Sequence, residues 1–249
     1  MIHYLIQTTS AHPDLLRAAP PPGLLSETEL ARCAELRFEK RRRDWLLGRW
    51  TAKHLVQSVV ERETGERWAL ADLSIVAAAD GAPEVEMHND RHSPFAIRHS
   101  LSISHSRDTS LCAVIDADVG AVGADLEWIE HREPGFVAQF FTPDEMAQIA
   151  GCEPDFRDTL ITAIWSGKEA VLKALRMGLR ADTRSVTVVP RPEVAERQPD
   201  RSSSPPRWQA LEVQVCQDLV DQTGISFSKF EGWWQEYEGF VLTLVIKHL

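Results

Sequence analysis

The stretch "WSGKEAVLKAL" (residues 165–175) decides how the chain is read. Wound onto a helix at about 100° per residue, Ile161, Ile164, Trp165, Val171, Leu172 and Leu175 fall on one apolar arc. Such an arc seeks a sheet or a second helix to cover it. Lys168 projects from the middle of this arc, Glu169 lies at its margin, and Lys173 sits one turn beyond Glu169 on the same side. Strand-like runs follow: "SVTVV", "ALEVQVC", "ISFSKFEGWWQEY" and "GFVLTLVIKHL". A long helix followed by strands of this kind indicates an α+β fold.

The first half has the same rhythm. A short strand is expected over 2–7, then a Pro-rich loop, then a capping-box signature at Ser26 and Glu29. From there to about Glu63 no proline interrupts a helical pattern, which leaves room for one break. An alternating segment "LSIVAAADGAPEV" and the runs "LSISHS" and "SLCAVIDADVGAVGADLEWI" read as strands. In the second half, helices are expected over roughly 136–150 and 155–177, and the Pro/Ser-rich stretch around 190–207 reads as a mobile excursion. "WLLGRWTAKHL" and "WSGKEAVLKAL" are weakly alike, which suits two similar α+β halves, 1–116 and 117–249.

Composition bounds the function. The 249 residues suffice for a real core, with 43% hydrophobic and 26% charged residues as in ordinary globular proteins. No apolar run approaches the ~20 residues of a membrane span, and "MIHYLIQTTSAHPD" lacks signal-peptide architecture. Four cysteines without CxxC spacing argue against a zinc site or disulfide framework. The expectation is a cytoplasmic protein, and a net charge of −10 argues against unspecific nucleic-acid binding.

Several clusters carry chemistry. In "VGADLEW", Asp125 and Glu127 share one face of a strand, roughly 6–7 Å apart at Cα. Like charges there repel unless a cation or shared proton relieves them; the bland alternative is a solvated strand end. Glu169 and Lys173 make an ordinary i,i+4 pair in the plain reading. In the sharper one, Glu169 joins Asp125 and Glu127 around Mg²⁺, which binds through carboxylates, water and substrate phosphate. Lys168 and Lys173 would then flank an anionic ligand. Ser104 and His105 end the strand "SISHS", with no triad order and no GxSxG to suggest a hydrolase. Arg32, Arg37, Lys40, Arg41, Arg42, Arg43, Arg49 and Lys53 make one helical region basic in an acidic chain. "DGAPEV" is a turn around Gly81 and Pro83.

Taken together, "GAP" (81–83), "ISHS" (103–106), "VGADLE" (122–127) and "WSGKEAVLK" (165–173) resemble the motifs of the surfactin-type 4′-phosphopantetheinyl transferases, in order and rough spacing. The resemblance implies two α+β halves related by a pseudo-twofold, a monomer, and coenzyme A with Mg²⁺ between the halves. It implies transfer of 4′-phosphopantetheine from coenzyme A to a serine of an apo acyl, peptidyl or aryl carrier protein, releasing 3′,5′-ADP. By position, Asp125, Glu127 and Glu169 would hold the metal, and Lys173 would contact the pyrophosphate. Glu169 or a metal-bound water would act as base. Ser104, His105 and Arg32 would bind coenzyme A, the last two at its 3′-phosphate, with Gly81 and Ala82 along the adenine. Many relatives carry lysine where this chain has Ala82; Arg43 or Arg49 is the expected substitute. The rival readings are a non-catalytic coenzyme A or nucleotide-binding module and a Mg²⁺-dependent phosphohydrolase.

Overall fold

The computed structural model describes residues 1–87, 98–191, 208–223 and 229–249. The chain divides into two compact units, Met1–Val122 and Gly123–Leu249. The Pro/Ser-rich stretch lies outside the described residues over 192–207, as does 224–228, the start of one expected strand.

In the N-terminal unit, β1 (His3–Thr8) leads through the short α1 (Pro13–Leu16) to α2 (Glu27–Glu35) and α3 (Glu39–Thr64). The helical pattern breaks once, at 36–38, where Leu36 and Phe38 take extended backbone angles. The capping box at Ser26 and Glu29 is formed, and α3 ends on Gly65 in the left-handed region, which a residue without Cβ adopts freely. Four strands follow: β2 (Leu73–Ala77), β3 (Pro83–Met87), β4 (His99–Ser106) and β5 (Thr109–Asp116). Ala52, Leu55, Val56, Val59 and Val60 of α3 pack on Leu73, Ile75, Leu101, Cys112 and Val114. At about 1.5–3 kcal/mol per buried side chain as large as valine or leucine, this face outweighs the weak local preference of α3's many charges.

The C-terminal unit runs from β6 (Gly120–Trp128) through α4 (Pro134–Phe140), α5 (Pro143–Ala150) and α6 (Arg157–Ala174) to β7 (Val186–Pro190) and β8 (Gln209–Val215). It ends in α7 (Gln217–Thr223), β9 (Phe230–Tyr237) and β10 (Phe240–His248). The single helix expected over 136–150 is two helices. Thr142 is extended and caps a new helix through a box with Glu145, and Pro143 occupies its first position. A proline there lacks only an amide hydrogen that the helix start leaves unpaired anyway. Ile161, Ile164, Val171 and Leu172 of α6 are buried with Val186, Val188, Leu211, Trp234, Val241 and Val245 of the sheet, as the apolar arc requires.

Apart from α7, the two units repeat one element order: strand, three helices, four strands. Their sheets differ. The C-terminal sheet is continuous in the order β6-β10-β9-β8-β7. The N-terminal strands take the matching order but part in the middle, into β1-β5-β4 and a separate β2-β3 hairpin.

One buried device occurs in both units. Lys53 of α3 is fully buried, ion-paired to Glu29 of the first capping box, and donates to the carbonyl of Leu24 at 2.7 Å. Lys168 of α6 is fully buried, 2.8 Å from Glu145 of the second capping box, and donates to the carbonyls of Thr183 and Val186. Each glutamate also accepts a strand amide at 2.9 Å, from Ile75 and Val188 respectively. Burial lowers the pKa of both ammonium groups and their carboxylate partners oppose it. Each pair is therefore a bolt joining a long helix, the start of the helix before it and the strand after it.

Candidate active site

The bolt corrects one expectation. Lys168 does not flank an anionic ligand; it points into the core and is fully satisfied there by Glu145 and two carbonyls. A lysine in the middle of an apolar arc is tolerable only with such partners, because an unpaired buried charge is prohibitively costly.

The neighbouring residues do gather. Gly123 lets β6 approach α6 so closely that a Cβ there would stand 1.8 Å from the carbonyl oxygen of Ala170. That approach sets Asp125, two residues along β6, against the next turn of α6. Lys173 donates to Asp125 Oδ1 at 2.7 Å and to the carbonyl of Ala124 at 3.1 Å. Asp125 is only 3% exposed. Glu127 accepts from the Trp165 indole at 3.3 Å on one oxygen and from Arg132 at 3.4 Å on the other. Burial, then repulsion from Asp125, push Glu127 up to about 7. The same causes raise Glu169, so both glutamates sense the charge of Asp125.

Among the described residues, no three acidic, histidine or cysteine side chains already converge as a metal-binding group. The donor set nonetheless fits a hard divalent cation. Glu169 Oε1 is buried and accepts no hydrogen bond, and glutamates whose pKa values are raised by burial and then by a neighbouring carboxylate gain most from an added positive charge.

The N-terminal unit holds a cleft of about 690 Å³. It opens where the sheet parts: Val76, Ala77, Gly81 and Pro83 from the β2-β3 hairpin line one side, and Ile103 and His105 of β4 another. Phe38, Lys40, Arg41, Asp44, Trp45, Gly48 and Arg49 close it from α3 and its cap. The cleft is apolar at its base and cationic around α3. His105 is half-exposed, its Nε2 4.0 Å from Asp44. Arg49 stacks on Trp45 at 4.5 Å and lies 3.6 Å from Glu29. Gly81 turns the hairpin at φ +88°, where a Cβ would be strained.

Other expected residues stand apart from this lining. Ala82 is in the turn, its amide on Asp80 at 3.0 Å. Ser104 is buried and, by strand alternation, faces away from His105. Arg32 lies on the exposed side of α2, paired with Glu35 at 2.6 Å. Of the two candidates to replace the lysine absent at Ala82, Arg49 lines the cleft and Arg43 does not; Arg43 lies 4.0 Å from Glu39. Phe38, Trp45 and Arg132 were not foreseen. An amphipathic pattern identifies a basic helix but not which of its residues meet a hairpin further along the chain, and Arg132 sits in a loop without motif.

Residues 121–220, from β6 into α7, match the model of the 4′-phosphopantetheinyl transferase superfamily. The carboxylate cluster lies inside that segment. Over 204 residues the chain is 25% identical to the 4′-phosphopantetheinyl transferase HetI of Nostoc sp., covering 81% of this chain and 78% of the relative. A putative 4′-phosphopantetheinyl transferase of Synechocystis sp. is 28% identical over 117 residues, 46% of this chain and 44% of that protein. The family model and both relatives point to one likeness, to the 4′-phosphopantetheinyl transferase superfamily. Among solved structures, the holo-acyl-carrier-protein synthase of Neisseria meningitidis aligns at TM-score 0.40 and 15% identity, over 53% of this chain and 99% of that one. That of Helicobacter pylori, in complex with coenzyme A, aligns at 0.37 and 16%, over 51% and 98%.

Proposed function

We propose that the protein transfers the 4′-phosphopantetheine group of coenzyme A to a serine of an apo carrier protein, releasing 3′,5′-ADP, as a monomeric, cytoplasmic, single-chain enzyme of the surfactin type. The observation that carries this reading is the group formed by buried Asp125 and partly buried Glu127, Glu169 and Lys173, inside the segment that matches the superfamily. The repeated element order of the two units supports the pseudo-twofold that the motifs imply.

Asp125, Glu127 and Glu169 would hold Mg²⁺, which when bound supplies positive charge against the pyrophosphate of coenzyme A. The rest of the work falls to side chains of this chain. The cleft of the N-terminal unit takes the nucleotide end: the adenine against Gly81 and the apolar base, the 3′-phosphate toward His105, with Lys40, Arg41 and Arg49 as its cations. Arg49 stands in for the lysine absent at Ala82; its guanidinium suits phosphate oxygens. The serine oxygen attacks the phosphorus that carries pantetheine, the bond to the other phosphate breaks, and 3′,5′-ADP leaves. Glu169 is the candidate acceptor for the serine proton. Lys173, a quarter exposed, offsets charge on the leaving phosphate.

The test is incubation of the pure protein with coenzyme A, Mg²⁺ and a panel of apo acyl, peptidyl and aryl carrier proteins, followed by intact-mass measurement. Addition of one phosphopantetheine to a carrier, with 3′,5′-ADP released, supports the reading. Coenzyme A hydrolysis without a carrier supports a phosphohydrolase instead. Binding of coenzyme A with no turnover on any carrier supports a binding module.

A further inference from the structure

Glu127 is gripped from two sides by residues that the transfer reading leaves without a task. The Trp165 indole donates to Oε1 at 3.3 Å and the Arg132 guanidinium to Oε2 at 3.4 Å. Neither jaw is loose. The Trp165 ring meets Phe136 edge-on at 5.0 Å and Phe140 at 5.4 Å. Arg132 lies over the same Phe136 ring at 5.1 Å and holds Glu130 at 3.1 Å. Phe136 thus braces both donors, and α4, which carries it, forms one wall of the clamp.

A glutamate carboxylate ends a chain of three rotatable bonds, and rotation about them moves its oxygens by ångströms. One hydrogen bond on each oxygen fixes the plane of the group. Each oxygen has two acceptor sites, so a single donor per oxygen leaves one site on each for a cation. Partners that orient a ligand in this way commonly set metal affinity.

We propose that Trp165, opposed by Arg132, is a positioning residue that orients Glu127 to ligate the divalent cation. The inference rests on the metal-dependent transfer reading and adds to it a residue that does not touch substrate. Trp165→Phe isolates the effect, because it keeps an aromatic ring against Phe136 and Phe140 and removes only the N–H and part of the ring.

The experiment is calorimetric titration of the wild-type protein and Trp165→Phe with Mg²⁺ and with Mn²⁺, beside thermal melts in chelator and transfer kinetics. The expected result is cation affinity weakened roughly 10–100-fold, an unchanged melt in chelator, and a transfer rate recovered by raising Mg²⁺. A merely structural role predicts a lower melt and an unaltered cation affinity in the folded fraction; that result overturns the proposal. A wild-type protein that binds and transfers while the variant matches it overturns this inference alone. A wild-type protein that binds neither cation overturns the metal reading as well. Should Trp165→Phe not fold, the wild-type indole N–H resonance of Trp165 in ¹⁵N spectra decides: it must shift on Mg²⁺ addition, and a stationary resonance overturns the proposal.

Discussion

The two units are built on one plan and bolted by the same pair, yet they differ on either side of the bolt. In the C-terminal unit the residue after the bolt lysine is Glu169, facing Asp125 of β6. In the N-terminal unit the residue after Lys53 is His54, whose Nδ1–H donates to the Trp50 carbonyl at 2.8 Å while its ring stacks on Trp50 at 4.2 Å. The sheets diverge as well: one is continuous, and the other parts to open a cleft lined by cations. The shared part carries stability, and the divergent parts hold the residues proposed for the chemistry. A buried ion pair is expensive to lose in either unit, whereas the position beside it is only partly buried in both and differs between them.

The bolts offer the largest test of that division. Lys53→Met and Lys168→Met should each destabilise the protein by about 3–5 kcal/mol, the usual consequence of leaving a buried carboxylate without its partner. Denaturant melts would measure it. If Lys168→Met melts normally but abolishes transfer, the symmetry of roles fails and Lys168 belongs to the chemistry after all.

Next comes the contrast between Glu169 and His54. Glu169→Ala should lower the transfer rate by about 10²–10³, the scale of removing a major electrostatic stabiliser, with no loss of stability in chelator. His54→Ala should leave the rate within a few-fold. Steady-state kinetics on a carrier protein that the enzyme accepts would show whether the pattern reverses.

The pH dependence sharpens the same contrast. Glu127 has a folded value of about 7 against an ordinary 4.5, so the protonated form favours folding. This contribution is full below about 4.5 and is lost as pH rises through about 7, worth up to roughly 3 kcal/mol in the metal-free protein. Glu169 adds in the same direction. Melts in chelator across this range should show the C-terminal unit weakening with pH, and Glu127→Gln should flatten the slope. A slope that survives the substitution would place its origin elsewhere.

The smallest effect concerns the capping boxes. Ser26→Ala and Thr142→Ala should each cost about 1 kcal/mol, and Ser26 somewhat more, since its hydroxyl bonds Ser74 at 2.6 Å whereas that of Thr142 accepts only a longer bond, 3.4 Å, from Thr187. Equal losses would mean that the shorter bond contributes no more than the longer one.

Much was legible in the sequence because it depends on local periodicity. The apolar arc of α6, the box at Ser26 and Glu29, the placement of Asp125 and Glu127 on one strand face, and the turn at Gly81 follow from backbone geometry within a few residues. The second box at Thr142 follows equally local rules, but it lies within a pattern that periodicity alone extends into one longer helix. The order of elements, and with it the α+β class, needed nothing beyond these patterns.

What periodicity cannot settle is which side chain of a long helix finds which distant partner. Lys168 reads as a site residue on a helical wheel, and only the approach of α5 and the strand after α6 shows it neutralised by Glu145 in the core. Arg49, not Arg43, reaches the cleft because of how a hairpin seen in the sequence as a plain turn stands off from β4. The clamp on Glu127 joins Trp165, Arg132 and Phe136 from two helices and a loop. The sequence alone determines the elements and the residue types able to do the chemistry. Tertiary packing decides which charges are buried and paired, and which are left to meet a ligand, because desolvation and charge neutralisation depend on neighbours far apart along the chain.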